Sequence, residues 1–160
     1  MIVNEKELFS LIETIFNPLG YVKKKETWYF QSKECICFFT IGKSFYSGKY
    51  GQAFGCFLRE LNTYGNTEYP GPNKSHLRIS LRFFTTNELV DKIFNLEERG
   101  FVKDERELAI KDLATKYAIP FLHLIESKEG IKEASARYPD LKYYMKVVLK
   151  EALGMNKDDQ

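Results

Sequence analysis

"TWYFQSKECICFFTI" (Thr27 to Ile41) decides the fold of this chain. Thr27 to Gln31 is rich in aromatic and β-branched residues, the types that suit a pleated, half-buried surface. "SKE" (Ser32 to Glu34) is a short polar break. Cys35 to Ile41 is then a nearly continuous apolar run, the pattern of a strand covered on both faces or central in a sheet. Three residues are too few for a parallel crossover, so the two strands pair as an antiparallel hairpin.

Working outward, "GYVKKKE" upstream supplies the opposing half of an earlier hairpin, and Gln52 to Leu58 downstream is the next strand. Between them "SFYSGKYG" must turn, because Ser47, Gly48 and Gly51 favour bends. Leu61 to Ser75 is dense in Gly, Asn and Pro and reads as a long mobile loop. Its Tyr64 and Tyr69 are expected as exposed rings of the kind partner interfaces use. His76 to Phe84 alternates, with Leu77, Ile79, Leu81 and Phe83 on one face and His76, Arg78, Ser80, Arg82 and Phe84 on the other.

Helices flank this meander. Asn4 and Glu7 form a capping-box-like pair before a stripe of Leu8, Leu11, Ile12, Ile15, Phe16 and Leu19. After residue 86 a short helix capped by Asn87 carries Leu89, Val90, Ile93 and Phe94, and ends by Gly100. Asp104 caps a longer one with Leu108, Leu113, Tyr117, Phe121, Leu122 and Ile125 inward, which Pro120 should kink or break. A short helix near Lys128 to Arg137 follows, and Pro139 starts a last one reaching Leu153. The plan is α+β: an N-terminal helix, an antiparallel meander of about four to five strands, and C-terminal helices packed on one face. Residues 1–154 form one domain and 155–160 a polar tail.

The order of features resembles a family of small bacterial proteins, domain of unknown function 4304. The likeness rests on "LGYVKKKETWYF", "FFTIGKSFYSGKYG" and "LRISLRFF", and runs from Leu8 to about Ile125. It implies the fold and brings no established activity.

Composition narrows the function classes. With 160 residues, 44% hydrophobic and 29% charged, the chain can build a core without metals or disulfides. A net charge of +2 is less basic than expected of a dedicated nucleic-acid binder. No basic region followed by an apolar run opens the chain, and no apolar stretch is long enough to span a membrane. Together with an odd count of three cysteines, that points to free thiols in a reducing cytoplasm.

Cys35, Cys37, Cys56 and His76 have the donor types of a zinc site, but Cys-x-Cys on a strand lacks the turn of zinc ribbons, and core thiols are the simpler reading. "GKS" (Gly42 to Ser44) lacks the upstream glycine and following helix of a phosphate loop. No acid, base and nucleophile converge, so no catalytic residue, metal or cofactor is assigned. Lys23 to Lys25 alternate in direction on a strand, which splits the basic cluster and suits gatekeeping of an edge. The candidate site is Arg78 and Arg82, with small Ala53 and Gly55 leaving room for guanidinium groups, and Lys43, Tyr46 and Tyr50 nearby. The competing reading of that face is a solvated sheet surface.

The expected function is non-catalytic binding of a protein partner, as immunity proteins that neutralise toxins do. The alternative is a small anionic ligand or an enzymatic role at the Arg78/Arg82 face. A second alternative is nucleic-acid binding by the Lys23–Phe30 hairpin. A membrane partner is not expected.

Overall fold

The structure, a computed structural model, describes residues 4–44, 48–98, 100 and 103–155. Five antiparallel strands lie in sequence order: β1 (Val22–Lys24), β2 (Thr27–Gln31), β3 (Cys35–Lys43), β4 (Tyr50–Leu58) and β5 (Leu77–Ile79). α1 (Glu5–Phe16) precedes them. α2 (Asn87–Phe94), α3 (Lys103–Leu113), α4 (Ile119–Leu124), α5 (Lys128–Arg137) and α6 (Val147–Ala152) follow. The α+β plan read from the sequence is therefore the fold. No helix among the described residues is long and apolar enough to cross a membrane.

Alternation assigns the two faces of the sheet. Trp28, Cys35, Cys37, Phe39, Ile41, Phe54, Cys56, Leu77 and Ile79 join the main core with Leu8, Ile12 and Phe16 of α1 and Phe121 and Leu122 of α4. Tyr29, Ile36, Phe38 and Phe57 point the other way and form a second core with Tyr64 and Tyr69. The strands are apolar on both sides because helices cover one face and the 61–75 loop covers half of the other.

That loop corrects the expectation of exposed rings. Tyr64 is buried, edge-on to Phe57 at 5.0 Å between centroids. Tyr69 is half-buried against Tyr29, whose hydroxyl donates to the Pro70 carbonyl at 2.7 Å. Its two tyrosines give the loop apolar surface to bury, which its Gly and Pro content conceals.

The hairpin β1–β2 turns at Lys25, which has φ 57° and so leaves the strand. Lys23 sits over the rings of Phe9 and Trp28 on the helix face, and Lys24 over Tyr69 on the loop face. Trp28 and Tyr29 are buried, and the Trp28 indole N–H donates to Glu13 at 2.8 Å. The rings of this hairpin are spent on the protein's own packing rather than presented to solvent.

The strand expected over 76–84 is shorter. It ends at Ile79 because the Leu81 N–H, which would extend the ladder, donates instead to the buried Gln52 side chain at 2.7 Å. Ser80 then caps a single 3-10 turn over Leu81–Phe83, and Phe83 and Phe84 both enter the aromatic cluster around Tyr138. Beyond it, Thr86 rather than Asn87 caps α2, which ends at Phe94 rather than near Gly100.

Three helix readings are also corrected. Pro120 neither breaks nor ends its helix: the preceding turn, Ala114–Ala118, widens to π geometry, and the helical path continues into α4. A wider turn relieves the clash between the proline ring and the carbonyl four residues back. The inward face of α3 carries Arg106 and Ile110, while Leu108 is 66% exposed. The last helix is split: a 3-10 turn over Pro139–Tyr144 leads to Met145, which bridges Leu77, and only then does α6 begin.

Candidate functional site

The uncovered half of the loop-side face is the candidate site. Strand register places Thr27, Thr40 and Ala53 in one row across β2, β3 and β4, and Gly55 beside Arg78 on β4 and β5. These side chains are short, so the sheet is hollow here. The concavity holds about 540 Å³ and is lined by Glu26, Thr40, Lys43, Ala53, Asn73 and Arg78, among others. Thr40 shares a hydrogen bond of 2.8 Å with the buried Thr27 beside the hollow.

Gly55 makes room for this geometry. A Cβ there would lie 1.9 Å from the Leu77 carbonyl oxygen, so only glycine lets β5 approach β4 at this point. Arg78 therefore sits on a strand pressed against a bare backbone, with its exposed guanidinium over the hollow.

The two arginines have different surroundings. The Arg78 side chain makes no hydrogen bond or ion pair with any described residue. Arg82, carried off the strand by the turn after Ser80, pairs with Asp91 of α2. The hydrogen bond from Arg82 holds the Asp91 carboxyl below its ordinary range. Both arginines still line one adjoining concavity of about 350 Å³, together with Ala53, Ser80 and Tyr144. They do not share a regular strand face.

Lys43 reaches the larger hollow from the end of β3 and likewise has no ion pair among the described residues. Tyr50 does not line it. Its position on β4 turns it to the helix side, where its hydroxyl donates to Glu5 at 3.1 Å, and burial and the Glu5 bond push its pKa up to about 12. Tyr46 lies outside the described residues. Tyr64 and Tyr69 belong to the covered half of the face, so neither joins Arg78.

The other polar and sulfur groups are committed elsewhere. His76 is fully buried on the loop side, its Nδ1 accepting from the Leu58 N–H at 2.8 Å and its Nε2 2.6 Å from the Thr63 hydroxyl. The three thiols lie on the opposite, helix-side face. Strand alternation thus keeps the histidine and the cysteines of the hypothetical zinc set apart. Burial pushes the Cys37 thiol up, and the contact with Cys35 and burial push Cys56 up. His123 is on α4 beside Glu126, away from the hollow.

Sequence reasoning missed Thr40 and Asn73 as site residues. Alternation along β3 was the available signal for Thr40, since it sets Thr40 on the face opposite Phe39 and Ile41. Asn73 had none, because it reaches the hollow only through the docked loop.

No curated protein and no solved structure matches the chain. A family model, Domain of unknown function (DUF4304), matches residues 12–124, which run from α1 through the sheet to α4 and contain Lys43, Arg78 and Arg82. On that match the chain belongs to the DUF4304 family.

Proposed function

We propose that this protein is a non-catalytic binding protein, and that it holds a carboxylate of a protein partner over the open half of its sheet. The observation that carries the reading is Arg78: an exposed guanidinium above a hollow of small side chains, in no ion pair with any described residue, although the carboxylate of Glu26 lines the same hollow. Lys43 adds a second cation, and Thr40 and Asn73 offer hydrogen bonds at the same place. A planar guanidinium with free donors takes a carboxylate in two parallel hydrogen bonds. The commitment of His76 and the burial of the thiols support a binding role over a catalytic one. The three free, buried thiols also support a reducing cytoplasm as its compartment.

The test uses short synthetic peptides carrying two adjacent glutamates, each paired with a glutamine counterpart, titrated against the protein by calorimetry. Wild type is expected to prefer the glutamate peptide. Arg78→Ala is expected to weaken its binding about tenfold, the weight of one charged hydrogen-bonded contact. The same variant should keep its unfolding free energy within about 0.5 kcal/mol, since the side chain is exposed. Equal binding of glutamate and glutamine peptides would overturn the reading, and so would an Arg78→Ala protein that unfolds.

A further inference from the structure

The hollow does not end at Arg78. Its neighbour of about 350 Å³ shares Gly51, Gln52, Ala53 and Arg78 with it. That neighbour in turn shares Arg82 and Tyr144 with a third concavity of about 470 Å³, walled by Phe83, Arg137, Tyr138 and Tyr143. The three form one trough running from the end of β3, across β5, to the 3-10 turn at 139–144.

The two ends of the trough differ in chemistry. At the sheet end Lys43 and Arg78 are cations without an ion pair among the described residues. At the far end Arg82 and Arg137 are neutralised by Asp91 and Glu133, and Asp140 adds a negative charge. What that end offers is aromatic surface: Tyr144 is 47% exposed and Tyr143 71%. Tyr144 stands edge-on to Phe83 at 5.4 Å. The turn that carries the rings is tied to the sheet, because Met145 bridges Leu77 and the Lys146 N–H donates to the His76 carbonyl at 2.9 Å. Exposed rings on a pinned turn lose little freedom when a partner covers them.

We infer that the trough takes an extended segment of a partner protein in which an acidic residue is followed by an apolar or aromatic one. The acid lies on Arg78 and the apolar side chain lodges against Tyr144. This rests on the reading of Arg78 given above and adds the second anchor. Charge complementarity selects a peptide over a nucleic acid, whose evenly spaced phosphates would run past Glu26, Asp140 and two neutralised arginines. Arg78 and Tyr144 line the same concavity of about 350 Å³, so a short extended spacer joins the anchors.

The experiment extends the glutamate peptides by a series of short glycine–serine spacers and a terminal phenylalanine, with glycine-terminated controls. Binding is measured to wild type, Arg78→Ala, Tyr144→Ser and Tyr143→Ser. Tyr143→Ser leaves Phe83 untouched and guards against loss of folding in Tyr144→Ser. In wild type the phenylalanine is expected to tighten binding about tenfold over the glycine control. That gain should vanish in Tyr144→Ser or shrink in Tyr143→Ser, while preference for glutamate over glutamine persists in both. If the phenylalanine adds nothing in wild type but glutamate is still preferred, the aromatic anchor is wrong and Arg78 stands. If glutamate and glutamine bind alike, both readings fall. No binding by any peptide up to about 1 mM, or tighter binding of a single-stranded oligothymidylate at equal salt that is lost in Arg78→Ala, overturns the inference.

Discussion

His76 is a strand-end residue whose imidazole has been built into the backbone. Its Nδ1 accepts a main-chain N–H, so that nitrogen must stay unprotonated. Burial, and behind it the charge of Lys146, lower its pKa from the ordinary 6.5 to about 4. Between those values the unfolded chain binds a proton that the folded one refuses. The neutral ring thus stabilises the fold fully above about pH 6.5, and this stabilisation drains away as pH falls through about 4. Urea unfolding across that window should show stability falling by up to about 1.4 kcal/mol per pH unit. His76→Asn, whose amide oxygen can accept the Leu58 N–H, should flatten that slope. A variant with the wild-type slope would assign the effect to another group.

At the level of elements, the junction of α2 and α3 depends on a buried charge. Arg106 is fully buried and donates to the carbonyls of Ile93 at 2.6 Å, Asn95 at 2.8 Å and Glu98 at 2.9 Å. These are oxygens at and just beyond the end of α2, which the helix itself leaves without donors. Burial lowers the pKa of Arg106, yet a guanidinium stays protonated at any ordinary pH. Arg106→Met keeps the apolar stem and strips the donors from three carbonyls. It is expected to cost about 3 kcal/mol or more in urea unfolding, because each buried acceptor left bare costs about 1–3 kcal/mol. Arg106→Lys should recover only part of this, since one ammonium cannot reach oxygens spread over six residues. A Met variant as stable as wild type would show that water replaces the guanidinium.

For the whole molecule, the 61–75 loop is the third layer of the fold, opposite the helices. Tyr64 closes it over Phe57, Thr63 bonds His76, and Pro70 receives the Tyr29 hydroxyl. Where the loop ends, the open hollow begins, and Asn73 of the same loop forms part of its wall. Tyr64→Ala is expected to destabilise the protein by about 3 kcal/mol, the usual loss for a buried ring. It should also make the 61–75 segment the first site cut in limited proteolysis, where wild type resists. Equal cutting of both proteins in that segment would mean that the loop is not held by its ring.

Strand order and the two faces of each strand were legible in the sequence alone. Thr27–Gln31 and Cys35–Ile41 are separated by three polar residues, which makes them a hairpin, and alternation along each strand puts Trp28, Cys37 and Phe39 on one face and Tyr29 and Phe38 on the other. The first helix was equally legible, because Asn4 caps Glu7 through contacts local in the chain. Arg78 could be placed on the polar face by the same alternation. Only tertiary structure decided the rest. The strand stops at Ile79 because the Leu81 N–H is taken by a side chain 29 positions from it, Gln52. Arg106 goes inward and Leu108 outward because the end of another helix needs donors. Arg82 and Tyr144 meet in one trough because Met145 bridges Leu77. Each of these is a long-range hydrogen bond or contact, and local periodicity carries no information about a partner that distant in the chain.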